Sequence, residues 1–520
     1  MRKFRANAES MLLGAAIVLA FGTTLNAAIV SEYVPNANAS WGNATTWSTN
    51  PTIPNAAGDT AQRTTAFTGN RQLSVNTTST VGSLLYGPSS PGEMGNFFWH
   101  IRITGSASSL IFDEDGLGAG FATLRNSNTT AGANNFILTS SSSTQTDVLA
   151  DDLHVINNAG TSTAANGGIQ LASPLSGSGN ITFISDGPVS STDVASLGSI
   201  SLHSANTFTG GSLIQKGLVV VITGATPFGN AANVVTLGDS TTAFDAAVLS
   251  RNSASPINYA ITVDAGTGSR TFGSAAETDY SVSSGNITLN GDLNLRAGTA
   301  STTAVQGYSG IISGAGNLTK TGTAIASLSG ANIYTGTTTV DSGTLLVTNT
   351  HFGGGDYTIN SGGTLGGNGT IDASVNLDGG TMSPGTSPGT LTLGALSLIG
   401  SVTGVYELDS PSSTSDDLVS VTGGLDLSLL TGITLDVTKI GGGFLADGDY
   451  ALVEFAGALT PPGGLPGFTY NGPLNVDQTA AITFGTGVVN LTLTTIPEPT
   501  AFILFSFGLA GAARFRRRRK

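Results

Sequence analysis

The 520 residues predict an all-β chain built as a solenoid, and three observations carry that expectation. First, Gly supplies 72 residues and charged side chains only 10%. Thr, Ser, Val, Leu and Asn dominate while helix-favouring Lys, Glu and Met are scarce, a balance of strand and turn formers. Second, short segments alternate apolar and polar residues. "ITLDVT" presents Ile433, Leu435 and Val437, "LTLGALSL" presents Leu391, Leu393, Leu396 and Leu398, and "NLTLTT" presents Leu491 and Leu493. Period two is the pattern of half-buried strands. Third, the chain repeats itself: "GSGNIT" and "SANTFTGG" within residues 177–211 return as "GAGNLT" and "SGANIYTGT" within 314–337, with a degenerate start, "SGNITL", at 284–289. Asn180 to Asn206 spans 26 residues and Asn317 to Asn332 only 15, so the first copy carries an insertion of 11. Repetition with variable loops indicates stacked coils. Each strand offers two or three inward aliphatics worth ~1.5–3 kcal/mol apiece, against an ordering cost of ~1–2 kcal/mol per residue. One coil alone does not fold; a stack sharing one core does.

At the N-terminus, Arg2, Lys3 and Arg5 precede an apolar stretch over 11–21, and small and polar residues follow to Ala27 and Ala28. This is the layout of a secretory signal peptide, read as residues 1–28 with cleavage after Ala27 or Ala28 and export by Sec-type machinery. Glu9 is an unusual acid before the apolar run, and a buried N-terminal helix is the alternative. The exported body has no cysteine, so packing and hydrogen bonds must hold it together. Nine of the 19 basic residues and two of the 33 acidic ones lie in the terminal segments, which leaves 10 basic against 31 acidic residues in the body. That excess disfavours nucleic acid and anionic membrane faces as direct partners. Cations and neutral polymers such as polysaccharide are better-matched neighbours.

The stretch "GAGNLTKTGTAIASLSGANIYTGTTTVDSGTLLV", residues 314–347, resembles the autotransporter-associated β-strand repeat of bacterial surface proteins. Gly316, Asn317, Leu318, Lys320, Gly322, Leu328, Asn332, Tyr334, Gly336, Gly343 and Leu345 stand at matching places. The following "GGTLGGNGTIDASVNLDGGTMSPGTSPGTLTL" and "SDDLVSVTGGLDL" resemble the coils near the end of autotransporter passenger domains. The resemblance covers about residues 177–440 and implies a right-handed parallel β-helix; its motifs mark corners and core positions, not a catalytic site. The expected order is an N-terminal β-rich cap over 29–130, containing Trp41, Trp47 and "PNAAGDTA"; the repeat-bearing β-helix over 131–400; and β-rich end coils over 401–496. Too few residues and aromatics follow Val402 for an outer-membrane barrel, so the chain is not expected to secrete itself.

The last segment, 497–520, resembles the PEP-CTERM sorting signal of exported proteins in Gram-negative, exopolysaccharide-producing bacteria. Pro497, Glu498 and Pro499 are followed by an apolar span and then by Arg514, Arg516, Arg517, Arg518, Arg519 and Lys520. The resemblance implies recognition and removal of the tail by exosortase, a membrane-embedded cysteine transpeptidase-like enzyme, with Pro497–Pro499 as its substrate site. Two prolines keep a segment extended and open to a protease. The basic tail stays cytoplasmic by the positive-inside rule. Residues 501–513 span only ~20 Å as a helix, short of a ~30 Å hydrocarbon core, which suits a transient anchor; a permanent tail anchor is the alternative.

Enzymatic function is not expected. None of His100, His154, His203 and His351 sits in the polygalacturonase-type context, and no Ser-His-Asp order, zinc spacing or phosphate loop stands out. Asp151-Asp152 and Asp416-Asp417 are adjacent acids, which a strand turns to opposite faces. "GGNGTID" falls one residue short of the calcium β-roll pattern, because Ile371 turns Asp372 outward, and "FDEDG" lacks the rest of an EF-hand loop. No cofactor or metal is expected. The function expected is that of a cell-surface or extracellular-matrix structural protein with exosortase as processing partner and exopolysaccharide as neighbour. An adhesin or polysaccharide-binding protein of the same architecture is the alternative, and a polysaccharide-active enzyme a third.

Overall fold

Parallel pairing starts with the first strand. Val30–Glu32 lies beside Thr60–Arg63, then Ser83–Tyr86, Phe121–Asn126, Asp152–Asn157 and Ile181–Ser185, and the ladder runs on to Ile312–Gly314. These strands form the first face of a three-faced coil. A second face climbs through Arg71–Val75, Trp99–Ile103 and Phe136–Ser140 to Tyr357–Asn360 and beyond. The third is built early by Ser79–Val81, Leu110–Phe112, Asp147–Leu149 and Leu175–Gly177, and later by strands from Ser281–Ser283 to Gly467–Asn471. The chain winds from face to face, so up to the C-terminal hairpin the described strands pair in parallel with their counterparts one coil on. This is a parallel β-helix. The computed structural model describes residues 28–496 except 36, 51, 66–69, 88–98, 105–107, 115–119, 128–135, 143–144, 159–167, 188, 190–198, 252–255, 276–280, 299–302, 412 and 465. Among the described residues the helical content is one 3-10 turn, Ala44–Thr46.

Period two does what the sequence predicts. Along the first face Ala61, Leu84, Leu124, Val155, Phe183, Ile214, Leu237, Val263 and Leu289 are paired one above the next, all buried. Burying such a column is what offsets the ordering cost of each coil. Many outward positions carry polar residues instead. On the third face Thr344, Thr364, Thr381, Thr403, Thr434 and Thr469 stand in register, half-buried or exposed, giving a continuous hydroxyl stripe. Threonine suits that place because it is β-branched and pairs with its own kind across strands. In "LTLGALSL" the apolar phase slips between Leu393 and Leu396 because Thr390–Leu408 turns a corner there, passing from the first face to the second.

Both ends are closed. All three tryptophans, Trp41, Trp47 and Trp99, are buried in the first coils with Tyr33, and Trp41 and Trp47 meet edge to face at 5.0 Å. The Trp41 indole donates to the Pro54 carbonyl at 3.0 Å and the Trp47 indole to the Trp41 carbonyl at 2.9 Å, so these two rings fill the open end without stranding their N–H groups. At the other end Gly448–Phe455 switches to antiparallel pairing with Val488–Thr495, which closes a hairpin with Gln478–Gly485. That hairpin covers the edge the last coil would otherwise expose.

Candidate functional sites at the corners, the core and the tail junction

The repeat is a corner device. Asn180 Oδ1 accepts from the Gly211 N–H at 2.8 Å, and Asn317 Oδ1 accepts from the Thr337 N–H at 2.8 Å. One coil down, the same two side chains donate to Asp152 and Asp292, each at 3.0 Å. Asn206 and Asn332 repeat the equivalence, accepting from the N–H groups of Leu175 and Ile312, each at 2.9 Å. The glycines beside them are required by contact: a Cβ on Gly336 would collide with the Gly316 carbonyl of the coil below, and Gly314 sits at φ +105°. The two copies nevertheless occupy different faces. The first leads from the third face to the first (Leu175–Gly177 to Ile181–Ser185), the second from the first to the second (Ile312–Gly314 to Leu318–Thr321). The motif therefore specifies a corner, not a place on the circumference. The insertion of the first copy falls between Ile181–Ser185 and Ile200–Leu202, at a corner, where the core is not interrupted.

The adjacent carboxylates are ties between coils. Asp151 is buried and accepts from the Glu114 N–H at 2.6 Å, while Asp152 points outward to Asn180. Asp417 accepts from the N–H groups of Gly389 and Glu407, each at 2.8 Å, which fixes the "SPGTSPG" turn, and Asp416 accepts from the Asp409 N–H at 2.6 Å. Burial raises the pKa of both Asp416 and Asp417. The histidines are likewise committed. His351 is buried between the Tyr357 hydroxyl at 2.7 Å and the Tyr334 carbonyl at 2.9 Å, and burial lowers its pKa. His100 and His203 bond Thr139 and Ser201, and His154 stacks on Phe121 at 4.3 Å. Ile371 is buried and Asp372 exposed, as the off-by-one calcium pattern requires. Among the described residues no group of three or more His, Asp or Glu could hold a metal ion.

Two buried charges were not legible in the sequence. Lys320 occupies an inward position of the second face, between Leu295 and Val340 in register. Its ammonium donates to the carbonyls of Thr321 at 3.1 Å, Gly322 at 2.7 Å and Ser342 at 2.9 Å, and burial lowers its pKa to about 8. Asp147 faces inward on the third face between Leu110 and Leu175, and burial raises its pKa to about 7. Its Oδ1 accepts from the Leu110 N–H at 2.8 Å; its Oδ2 and the neighbouring Ser173 hydroxyl are buried without a well-formed hydrogen bond. Arg63 and Arg270 also clamp carbonyls from buried positions. Four of the body's ten cations, Arg63, Arg270, Arg296 and Lys320, are thus buried, which leaves six on a surface that already carries an acidic excess.

The tail begins where the cap ends. Thr495 pairs with Gln478, its N–H donates to Asp447 Oδ2 at 3.0 Å, and the Ile496 N–H donates to the Asp477 carbonyl at 2.5 Å. Hydrogen bonds from Thr495 and Gln478 hold the Asp447 carboxyl below the usual carboxylate range. Pro497, Glu498, Pro499, Arg514, Arg516 to Arg519 and Lys520 lie outside the described residues, as do the apolar segments 11–21 and 501–513. No helix among the described residues is long and apolar enough to cross a membrane.

Comparison with known proteins agrees with both resemblances. Residues 318–347 match the passenger-associated-transport-repeat, and residues 495–519 match the PEP-CTERM protein-sorting motif. A stretch of 177 residues is 33% identical to the Adhesin BmaC autotransporter of Brucella suis biovar 1 (strain 1330), covering 32% of this chain and 5% of that much longer protein. The chain is therefore a parallel β-helix that carries a passenger-type repeat in its body and a PEP-CTERM sorting motif at its C-terminal end.

Proposed function

We propose that this is an exported, non-enzymatic surface or matrix protein of a Gram-negative bacterium. After Sec-type export, residues 501–513 anchor it briefly in the inner membrane with Arg514 to Lys520 on the cytoplasmic side. Exosortase then processes the tail at Pro497, Glu498 and Pro499, and the body joins the cell envelope or the extracellular polysaccharide. The observation that carries this reading is the sorting motif placed directly after a closed solenoid. The acidic excess and the uncharged threonine stripe support a neutral polysaccharide as neighbour, because hydroxyls bond other hydroxyls without needing a counter-charge. A second reading, adhesion, is favoured by the likeness to an adhesin autotransporter; retention on immobilised polysaccharide, against retention on cell surfaces stripped of it, separates the two.

Replacing Pro497, Glu498 and Pro499 together by alanine tests the processing step. In a host with exosortase the variant is expected to be exported but to keep its tail, remaining with the membrane and running heavier by roughly 2 to 3 kDa, the mass of some two dozen residues. Equal mass and equal fractionation of wild type and variant would leave the permanent anchor as the better account.

A further inference from the structure

The match to the sorting motif begins at residue 495, and residue 495 is still part of the folded cap. Thr495 is paired across the hairpin with Gln478 and tied through its N–H to Asp447; the next N–H, of Ile496, is held by the Asp477 carbonyl. Gln478 completes the tie, donating to Asp447 Oδ1 at 2.8 Å and to the Leu445 carbonyl at 3.1 Å. No linker separates these bonds from Pro497. A protease binds its substrate as an extended strand over several residues on either side of the bond it attacks, through the main-chain groups that a β-ladder uses. Residues 493–496 cannot offer those groups while they pair with the cap.

The cap is also the part of the solenoid best placed to open. Beneath the hairpin lies an apolar cavity of about 50 Å³, lined by Ile482, Phe484 and Val489 from the hairpin and by Met382, Leu435 and Leu452 from the end coils. Such a void means that the hairpin forgoes contacts a filled core would give it. Val476 beside the junction is fully exposed, and five of the eight residues of the outer strand Gln478–Gly485 are exposed in part. Val488–Thr495 buries Val489, Leu491 and Leu493, so its opening starts at the exposed Thr494 and Thr495, where fewest contacts are lost.

We propose that processing of the tail requires the last strand, Val488–Thr495, to leave the cap, so that Asp447, Asp477 and Gln478 form a latch that sets how readily the sorting motif is presented. This rests on the processing reading above. It implies that a well-folded cap slows release of the tail, and that the body is closed at its C-terminal end before the membrane anchor is given up.

The cysteine-free chain allows a direct test. Thr479 and Thr494 face each other across the hairpin and are both exposed, so Thr479→Cys with Thr494→Cys staples the last strand in place under oxidising conditions. In a host with exosortase the stapled protein is expected to accumulate as precursor, with release slowed at least about tenfold because cleavage follows the population of the open form. Reductant, or a short Gly-Ser linker inserted between Ile496 and Pro497, should restore release, and either single-cysteine variant should behave as wild type. If wild type is processed and the stapled form is processed equally fast, the latch is wrong while the sorting reading stands. A stapled form that stays blocked with the linker in place also overturns the latch. If wild type keeps its tail in that host, the sorting reading falls and the latch with it.

Discussion

Replacing Asp147 by Asn is expected to stabilise the protein at pH 8 by on the order of 2–4 kcal/mol and to change little near pH 4. Asp147 is buried at an inward position among aliphatic side chains, with one backbone N–H as its firm partner. Removal from water raises its pKa from 3.8 to about 7. The sign follows from proton binding. Between these values the folded protein keeps a proton that the unfolded chain has lost, so stability falls as pH rises toward 7, and the loss is complete above it. Asparagine retains the acceptor for the Leu110 N–H and adds a donor beside the Ser173 hydroxyl, which already lies next to the Asp147 carboxyl. Denaturant unfolding of both proteins at pH 4 and pH 8 reads the effect. Equal midpoints at pH 8 would mean that Asp147 is not the desolvated carboxyl described here.

The opposite sign is expected at Lys320, where Lys320→Met should destabilise by on the order of 2–4 kcal/mol. Two effects compete. Methionine removes a buried charge whose desolvation lowers its pKa from 10.5 to about 8, a gain of about 3 kcal/mol by the same conversion. It also strands the carbonyls of Thr321, Gly322 and Ser342, which lose charge-assisted hydrogen bonds worth about 1.5–3 kcal/mol each. Three such bonds outweigh one desolvation. Ser342 lies one coil above Lys320, so the loss also loosens a corner between coils. The unfolding midpoint measures it, and a variant as stable as wild type would show that water satisfies those carbonyls.

The fold was legible because a solenoid writes its rules locally. The period-two phases of Leu391, Leu393, Leu435, Val437, Leu491 and Leu493 all point inward as expected, and the glycines and asparagines of the repeat sit at corners. The alternation read across Leu391, Leu393, Leu396 and Leu398 breaks phase between Leu393 and Leu396, and only the structure explains this as a corner within one continuous strand. Which face a motif occupies was not legible, since Asn180 and Asn317 make the same bonds at different corners. That Asp147 and Lys320 point inward was not legible, because period two cannot distinguish a buried polar residue from a shift in register. For the candidate site, the sorting motif stood out through its order of Pro-Glu-Pro, apolar span and arginines. Its attachment to the cap through Asp447 and Gln478 did not, as those partners lie 48 and 17 residues from Thr495 and meet it only through the fold.

The intact mass of the mature protein from its native host tests the central claim most directly, because it reads both ends of the chain at once. The expected species begins after Ala27 or Ala28 and ends close to Pro499, with Arg514 to Lys520 absent. A mature protein that retains the basic tail would contradict processing at Pro497–Pro499 and leave a permanently anchored β-helix in its place.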